Sequence, residues 1–258
     1  MARRFDRRHV LARAAAIFGV LPLGGCDLDS QNTTVQNVLD SAEALTETAQ
    51  RLFLTRQSMA EEFPASDISS HFRANGSTDP SDPAYKKLVS SGFRDWQLQV
   101  GGLVKNPLSL SLDDLRAMPS RTQITRHDCV EGWSCIGQWT GLPLGTVLQR
   151  AGLQPKAKYI MFFCADSLGQ SLDESNQYYE SIDLFDAFHP QTILAYDMNG
   201  KPLGVPYGAP LRVRVERQLG YKMAKYIMRI EAVESFRDIA GGQGSYWADR
   251  GYEWYAGI

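Results

Sequence analysis

The chain has 258 residues, 43% of them hydrophobic, and a formal net charge of -2. That is enough apolar material for one large domain or two small ones. A near-neutral chain without long runs of one sign argues against a nucleic-acid surface, and four cysteines are too few for a disulfide scaffold.

Residues 1–26, "MARRFDRRHVLARAAAIFGVLPLGGC", read as an address rather than as fold: a basic start, a modest apolar stretch, then small residues. Arg7-Arg8 ahead of His9, Val10 and Leu11 is similar to a twin-arginine export signal. "LGGC" is similar to a lipoprotein cleavage box with Cys26 as the lipidated residue, and Asp27 resembles an inner-membrane retention signal. The alternative is a basic amphipathic helix. The apolar run is too short and too broken by Gly and Pro for a strong membrane-spanning helix. Twin-arginine export carries folded proteins and so raises the expectation of a cofactor. Periplasmic placement, tethered to the inner membrane, follows from that reading.

Residues 27–64 form a polar tether with apolar residues at helical spacing over 37–59. "NGSTDPSDP" (75–83) is loop chemistry. "WQLQVGGLV" alternates as a strand does. "SLSLDDLRAM" offers Ser111 as N-cap, with Asp113 and Asp114 in the first turn of a short helix. "TQITRHDCV" is a strand, "LPLGTVLQRAGL" a short helix closed at Gly152, and "KYIMFFCA" a buried strand. "SIDLFDAF" begins another capped helix, and "TILAYDMNGKPL" is a hairpin turning at Asn199-Gly200. "LRVRVERQLGY" and "YIMRIEAVESF" are further strands, and "GGQGSYW" is loop. Strands and short helices intermix without βαβ spacing, which predicts an α+β fold with a mixed sheet. Residues 65–258 are its expected extent.

The chemistry gathers in "RHDCVEGWSC" (126–135). A Rossmann fingerprint, a phosphate-binding loop and a Gly-x-Ser-x-Gly elbow are all absent from the sequence. Cys129, Cys135, Cys164 and His127 offer zinc-type ligands without a Cys-x2-Cys pair. A Cys135–Cys164 disulfide suits an oxidising compartment, and burial as an inert thiol suits Cys164 inside its apolar strand. Arg126 and His127 beside Cys129 are expected to lower its thiol pKa and favour a thiolate, either nucleophile or soft metal ligand.

Two segments carry a resemblance that narrows these options. "RHDCVEGWSCIGQWTGLPLGTVL" resembles the molybdenum-ligand segment of the sulfite oxidase family of molybdopterin enzymes, most closely its exported bacterial branch with methionine sulfoxide reductases. "YGAPLRVRVERQLGYKMAKYIMRIE" (207–231) resembles the same family's pterin-phosphate segment. The resemblance covers residues 65–258 and implies a molybdenum-molybdopterin cofactor. It places Cys129 on the metal, Arg212 on the cofactor phosphate, and Met223, Ala224 and Lys225 in the turn that also holds the phosphate. Tyr207, Asn75 and Cys164 match pterin-contacting positions, although relatives carry Asn or His where Tyr207 stands and Thr where Cys164 stands. "YWADRGYEWY" resembles the segment bearing the active-site tyrosine, here Tyr252, and His127 is placed as a support for the metal loop. Vertebrate-type sulfite oxidases have arginines after the ligand cysteine; Val130 to Ser134 replace them here, leaving Arg126 or Arg250 to compensate. The implied activity is two-electron oxygen-atom transfer, as sulfoxide reduction on a small or protein-bound sulfur oxo-substrate. Sulfite oxidation and non-catalytic molybdopterin binding or electron transfer are the alternatives. No His-Pro-Gly-Gly haem segment is present, so electrons are expected to come from a separate haem membrane protein or cytochrome c.

Overall fold

The computed structural model describes residues 45–50, 55, 58–168 and 176–258; the twin-arginine segment and Cys26 lie outside the described residues. A compact unit runs from Glu47 to Ile258. Of the helix expected over 37–59, residues 45–50 are helical, whereas the described residues 55, 58 and 59 are not, so the helix ends earlier than expected. Among the described residues, no helix is long and apolar enough to cross a membrane.

Among the described residues, ten strands form two five-stranded sheets. The first contains β1 (Leu98–Gly102), β2 (Leu108–Leu110), β5 (Tyr159–Ser167), β6 (Gln177–Asp183) and β10 (Ile227–Val233), in the order β2-β1-β10-β5-β6. β1 and β10 run parallel while the other pairs are antiparallel, so the sheet is mixed, as predicted. The second contains β3 (Arg121–Asp128), β4 (Ser134–Pro143), β7 (Ile193–Met198), β8 (Lys201–Pro202) and β9 (Arg212–Arg214), with β9 on β7. Its pairings are antiparallel. One core joins both sheets: Val100, Ile160, Phe162 and Ile230 meet Leu142, Leu194 and Val213.

Local chemistry accounts for most element ends. Helix α1 (Pro83–Ser90) starts where Asp82 caps the Tyr85 N–H and Pro83 sets the first turn; the sequence reading ended its loop there without a helix. Helix α2 (Leu112–Ala117) carries the expected Ser111 cap as a full capping box with Asp114. Helix α3 (Leu144–Ala151) closes at Gly152, whose φ of 69° is left-handed. Helix α4 (Leu184–Ala187) is capped by Asp183, and the residues before it belong to β6. Asn199 and Gly200, both at positive φ, make the β7–β8 turn. β9 is shorter than "LRVRVERQLGY" suggested: after Arg214 the chain turns, with the Gln218 N–H donating to the Val215 carbonyl.

Gly141 sits at the register shift where β4 crosses β7. A Cβ there would lie 2.2 Å from the Leu194 carbonyl oxygen and 2.6 Å from the Ala195 Cα. Backbone cannot yield as a flexible side chain can. Gly141→Ala is expected to destabilise by about 3 kcal/mol, lowering the calorimetric melting temperature by roughly 6 to 12 °C. An unchanged melting temperature would refute this packing.

Candidate active site

β3 and β4 pair as far as Asp128 opposite Ser134, so residues 129–133 form the loop of a hairpin. The Cys129 N–H donates to the Trp133 carbonyl at 2.9 Å, and the Gly132 N–H to the Cys129 carbonyl at 3.0 Å. Gly132 has φ 83°, a backbone region that glycine adopts without strain. This turn presents Cys129, Val130 and Glu131 to a solvent-open pocket of about 680 Å³.

The expected activation of Cys129 by its neighbours is not what the structure shows. Arg126 turns to Asp128, 2.9 Å away, and His127 is buried. The Cys129 pKa is instead raised by burial, which outweighs the opposing hydrogen bond from the Glu131 backbone N–H. A thiolate here needs a bound cation to stabilise it rather than the adjacent side chains.

His127 braces the hairpin from behind. Arg214 donates from Nη1 to His127 Nδ1 at 2.9 Å and forks onto Glu216 at 2.9 and 2.6 Å. Burial, followed by Arg214, pushes the His127 pKa well down. With Nδ1 accepting, the proton sits on Nε2, which has no partner among the described residues. A Cβ on Gly220 would come within 2.4 Å of this ring, so glycine lets the 220–225 turn close over the imidazole.

That turn and β9 supply the cations. Arg212 is buried, donating to the Tyr207 and Met223 carbonyls at 3.0 and 3.4 Å, and its Nε has no partner among the described residues. Lys225 donates to the carbonyls of Asn75 at 2.7 Å, Pro206 at 3.1 Å, and Ser77. Neither forms an ion pair among the described residues. Burial and the neighbouring arginine push Arg212 down to about 9, and burial and Arg212 push Lys225 down to about 7. Gly208, at φ 107°, makes this crowding possible: a Cβ would stand 2.9 Å from the Lys225 side chain and 3.3 Å from that of Arg212.

Of the ten residues singled out in the sequence, Asn75, Cys129, Met223, Lys225 and Tyr252 line the pocket. Arg212 lies behind it, where Met223 is a shared contact. Ala224 is buried and accepts from the Val213 N–H. Tyr207 touches Arg212 only through its carbonyl, while its hydroxyl donates to Phe72 O. Cys164 is buried in β5, and burial raises its thiol well above the ordinary range. Cys129, Cys135 and Cys164 are free thiols, which removes the Cys135–Cys164 disulfide.

Sequence reasoning missed several wall residues. Asp166 lines the pocket with an Oδ1 unpartnered among the described residues, and burial raises its carboxyl to about 7. It sits two residues beyond Cys164, inside the register irregularity of β5 between Phe163 and Ser167. Tyr178, Tyr221 and Trp247 join Tyr252 in an aromatic wall. The Tyr252 ring lies 5.0 Å from Trp247 and 5.4 Å from Tyr221. Arg126 and Arg250 do not line the pocket; Arg250 stacks on Tyr246 at 3.6 Å.

A thiol faces this pocket near one end of the 220–225 turn, and two cations without ion pairs stand at the other. The orphaned Arg212 Nε and the depressed Lys225 are what an absent anion would leave behind. Thiol and cations together fit a cofactor that joins a soft metal to a phosphate. Fold and site therefore define a cofactor-dependent redox enzyme.

Comparison with known proteins gives the family. Residues 86–238 match the oxidoreductase molybdopterin binding domain, and the chain belongs to that family. A protein of Azospira oryzae, provisionally named protein-methionine-sulfoxide reductase subunit YedZ1, is 35% identical over 97% of this chain and 87% of its own. The protein-methionine-sulfoxide reductase catalytic subunit MsrP of Xanthomonas axonopodis is 35% identical over 91% of this chain and 72% of its own. Among solved structures, the sulfane dehydrogenase SoxCD from Paracoccus pantotrophus matches with a TM-score of 0.48 and 16% identity, over 86% of this chain and 59% of that one. The protein is thus a molybdenum-dependent oxidoreductase with an α+β molybdopterin-binding fold.

An anion held by Lys225 would bind in a pH-dependent way. Its pKa without an anion is about 7, and only the protonated form attracts phosphate. Affinity is therefore greatest below that value and is lost as the pH rises through it. Calorimetric titration of cofactor-free protein with a phosphate monoester is expected to weaken by roughly fivefold between about pH 7 and pH 8. Lys225→Met is expected to bind more weakly and to lose that slope.

Proposed function

We propose that this protein reduces sulfoxides: a sulfoxide takes up two electrons and two protons, its S=O bond breaks, and a thioether and water are released. The observation that carries the reading is one pocket with the Cys129 thiol on its wall, the Arg212 and Lys225 cations beside it, and no arginine among its described lining residues. Cys129 would hold molybdenum through its sulfur. Arg212 and Lys225 would hold the cofactor phosphate, with backbone contributed by Met223 and Ala224. Asn75 would flank the pterin, and Tyr207 and Cys164 would support it from behind. When bound, molybdenum supplies the two-electron exchange of an oxygen atom. The chain itself orients that group, shapes the pocket, and places Tyr252 beside the substrate. His127 keeps the Cys129 hairpin in position.

A neutral sulfoxide suits this pocket better than sulfite dianion. Arg126 and Arg250, which had to compensate for the missing sulfite-binding arginines, are engaged elsewhere. The names of the Azospira and Xanthomonas relatives point to methionine sulfoxide in proteins. Val130 and Tyr252, 47% and 38% exposed, place apolar surface where such a side chain would enter. Export through the twin-arginine segment, a lipid on Cys26, periplasmic residence and a separate haem-bearing electron donor complete the proposal.

Purified protein is expected to carry about one molybdenum and one pterin per chain, and Cys129→Ser to lose sulfoxide reduction by at least roughly 100-fold. Turnover of methionine sulfoxide with a reduced donor should exceed turnover of sulfite with an oxidised acceptor. Faster sulfite oxidation would overturn the assignment.

A further inference from the structure

Lys222 and Glu180 form a buried ion pair behind the pocket, Nζ to Oε1 at 2.5 Å, with both side chains essentially inaccessible. Neither lines the pocket, and neither has a part in the proposed chemistry. Glu180 Oε1 also accepts from the Ser181 N–H at 2.8 Å, whereas Oε2 has no partner among the described residues. The Lys222 ammonium stands 5.0 Å from the Trp254 ring. Trp254 donates to Ser181 Oγ at 2.8 Å, and Ser181 Oγ donates to the Gly244 carbonyl at 2.6 Å.

These contacts converge on three segments that build the pocket. Glu180 and Ser181 lie on β6 just beyond Tyr178. Lys222 lies between Tyr221 and Met223, three residues before Lys225. Gly244 and Trp254 bracket the segment that carries Trp247 and Tyr252. Tyr178 adds a parallel tie, its hydroxyl donating to the Tyr221 carbonyl at 2.5 Å.

We propose that the Lys222–Glu180 pair is a positioning device for the cofactor site, pinning the anion-holding turn to β6 and, through Ser181 and Trp254, to the aromatic wall. Stability alone does not call for it. Replacing a buried ion pair with apolar side chains of similar volume is often neutral or stabilising, whereas breaking it strands a charge. What an apolar pair lacks is a fixed bond direction. An ammonium held to one carboxylate oxygen fixes where residue 222, and hence residues 223–225, must sit. This inference rests on reading the pocket as the molybdopterin site.

The test measures molybdenum and pterin per folded chain, together with melting temperature, in E180Q, K222M, K222R and the double variant E180M/K222M. D186N serves as control, weakening the buried Arg217–Asp186 pair, neither member of which lines the pocket. E180Q and K222M are expected to hold about tenfold less cofactor than wild type, and the double variant to melt near wild type yet remain as depleted. K222R, keeping the charge, is expected to keep its cofactor, and D186N to melt lower without losing any. Full cofactor in the double variant, or depletion of K222R or D186N equal to that of K222M, would overturn the positioning role. Wild-type protein free of molybdenum and pterin would overturn the site reading itself, and this inference with it.

Discussion

Two buried cations that meet carbonyls but no carboxylate among the described residues, Arg212 and Lys225, organise this molecule. Charge is costly to keep in an apolar interior unless it is paired, and the fold makes only partial provision. Five backbone carbonyls, from Asn75, Ser77, Pro206, Tyr207 and Met223, accept from the two side chains. Trp139 lies 4.9 Å from the Arg212 guanidinium. Carbonyls lower the energy of a cation without neutralising it, so both pKa values stay depressed. No described carboxylate pairs directly with either cation, and the main negative influence on Lys225 is Asp166, whose carboxyl burial raises to about 7. Other buried cations nearby are treated differently: Arg214 has Glu216 and Lys222 has Glu180. The contrast separates cations that hold the fold from cations available to a ligand.

The same division explains the Cys129 hairpin. Its thiol is not primed by a neighbouring base, because His127 is spent on structure. The ring accepts from Arg214, Arg214 also donates to Glu216, and Glu216 accepts from Gln123 at 2.7 Å. That chain is buried throughout, and Gly220 lets the cation-bearing turn close against it. Hairpin and turn therefore share one imidazole as a spacer. The distance between the proposed metal ligand and the proposed phosphate site is set by packing rather than by the ligand. Preorganisation of this kind spares a cofactor the ordering of two loops.

Legibility from sequence followed the range of the interactions. The Ser111 cap, the Gly152 stop, the Asn199-Gly200 turn and the apolar β5 strand are local devices, and each is where the sequence placed it. Helix α1 is equally local, announced by Asp82-Pro83, but the sequence reading stops its loop at residue 83 and assigns no element to the residues that follow. The Cys129 pKa was misjudged because adjacency in sequence says nothing about direction: Arg126 and Cys129 are three apart, yet the guanidinium turns to Asp128. Arg212 and Lys225 were legible only through family resemblance, as nothing in "LRVRVERQLGYKMAK" marks which cations lack partners. Asp166, Tyr178 and the Lys222–Glu180 pair were not legible at all. Their significance arises from β6, the 220–225 turn and the C-terminal segment meeting in space.

Charge along the pocket then bears on what it admits. The unpaired positive charge lies at Lys225 and, behind the wall, at Arg212. On the Cys129 hairpin, Arg73 stands 3.6 Å from the pocket-lining Glu131 and stacks 5.2 Å from Trp133. Trp133 also donates to Glu131 at 2.9 Å, so this rim is close to neutral. A dianion entering there would leave water without gaining a paired cation, whereas a neutral, polarised S=O group with apolar substituents loses little hydration. Aromatic faces at Trp247 and Tyr252 suit sulfur and its methyl groups, since thioether-type sulfur packs favourably against rings. On the proposed reading, strong electrostatics would be reserved for the anchor, and the entrance would discriminate by shape and polarity. That separation would let one fold retain a highly charged cofactor while accepting an uncharged substrate.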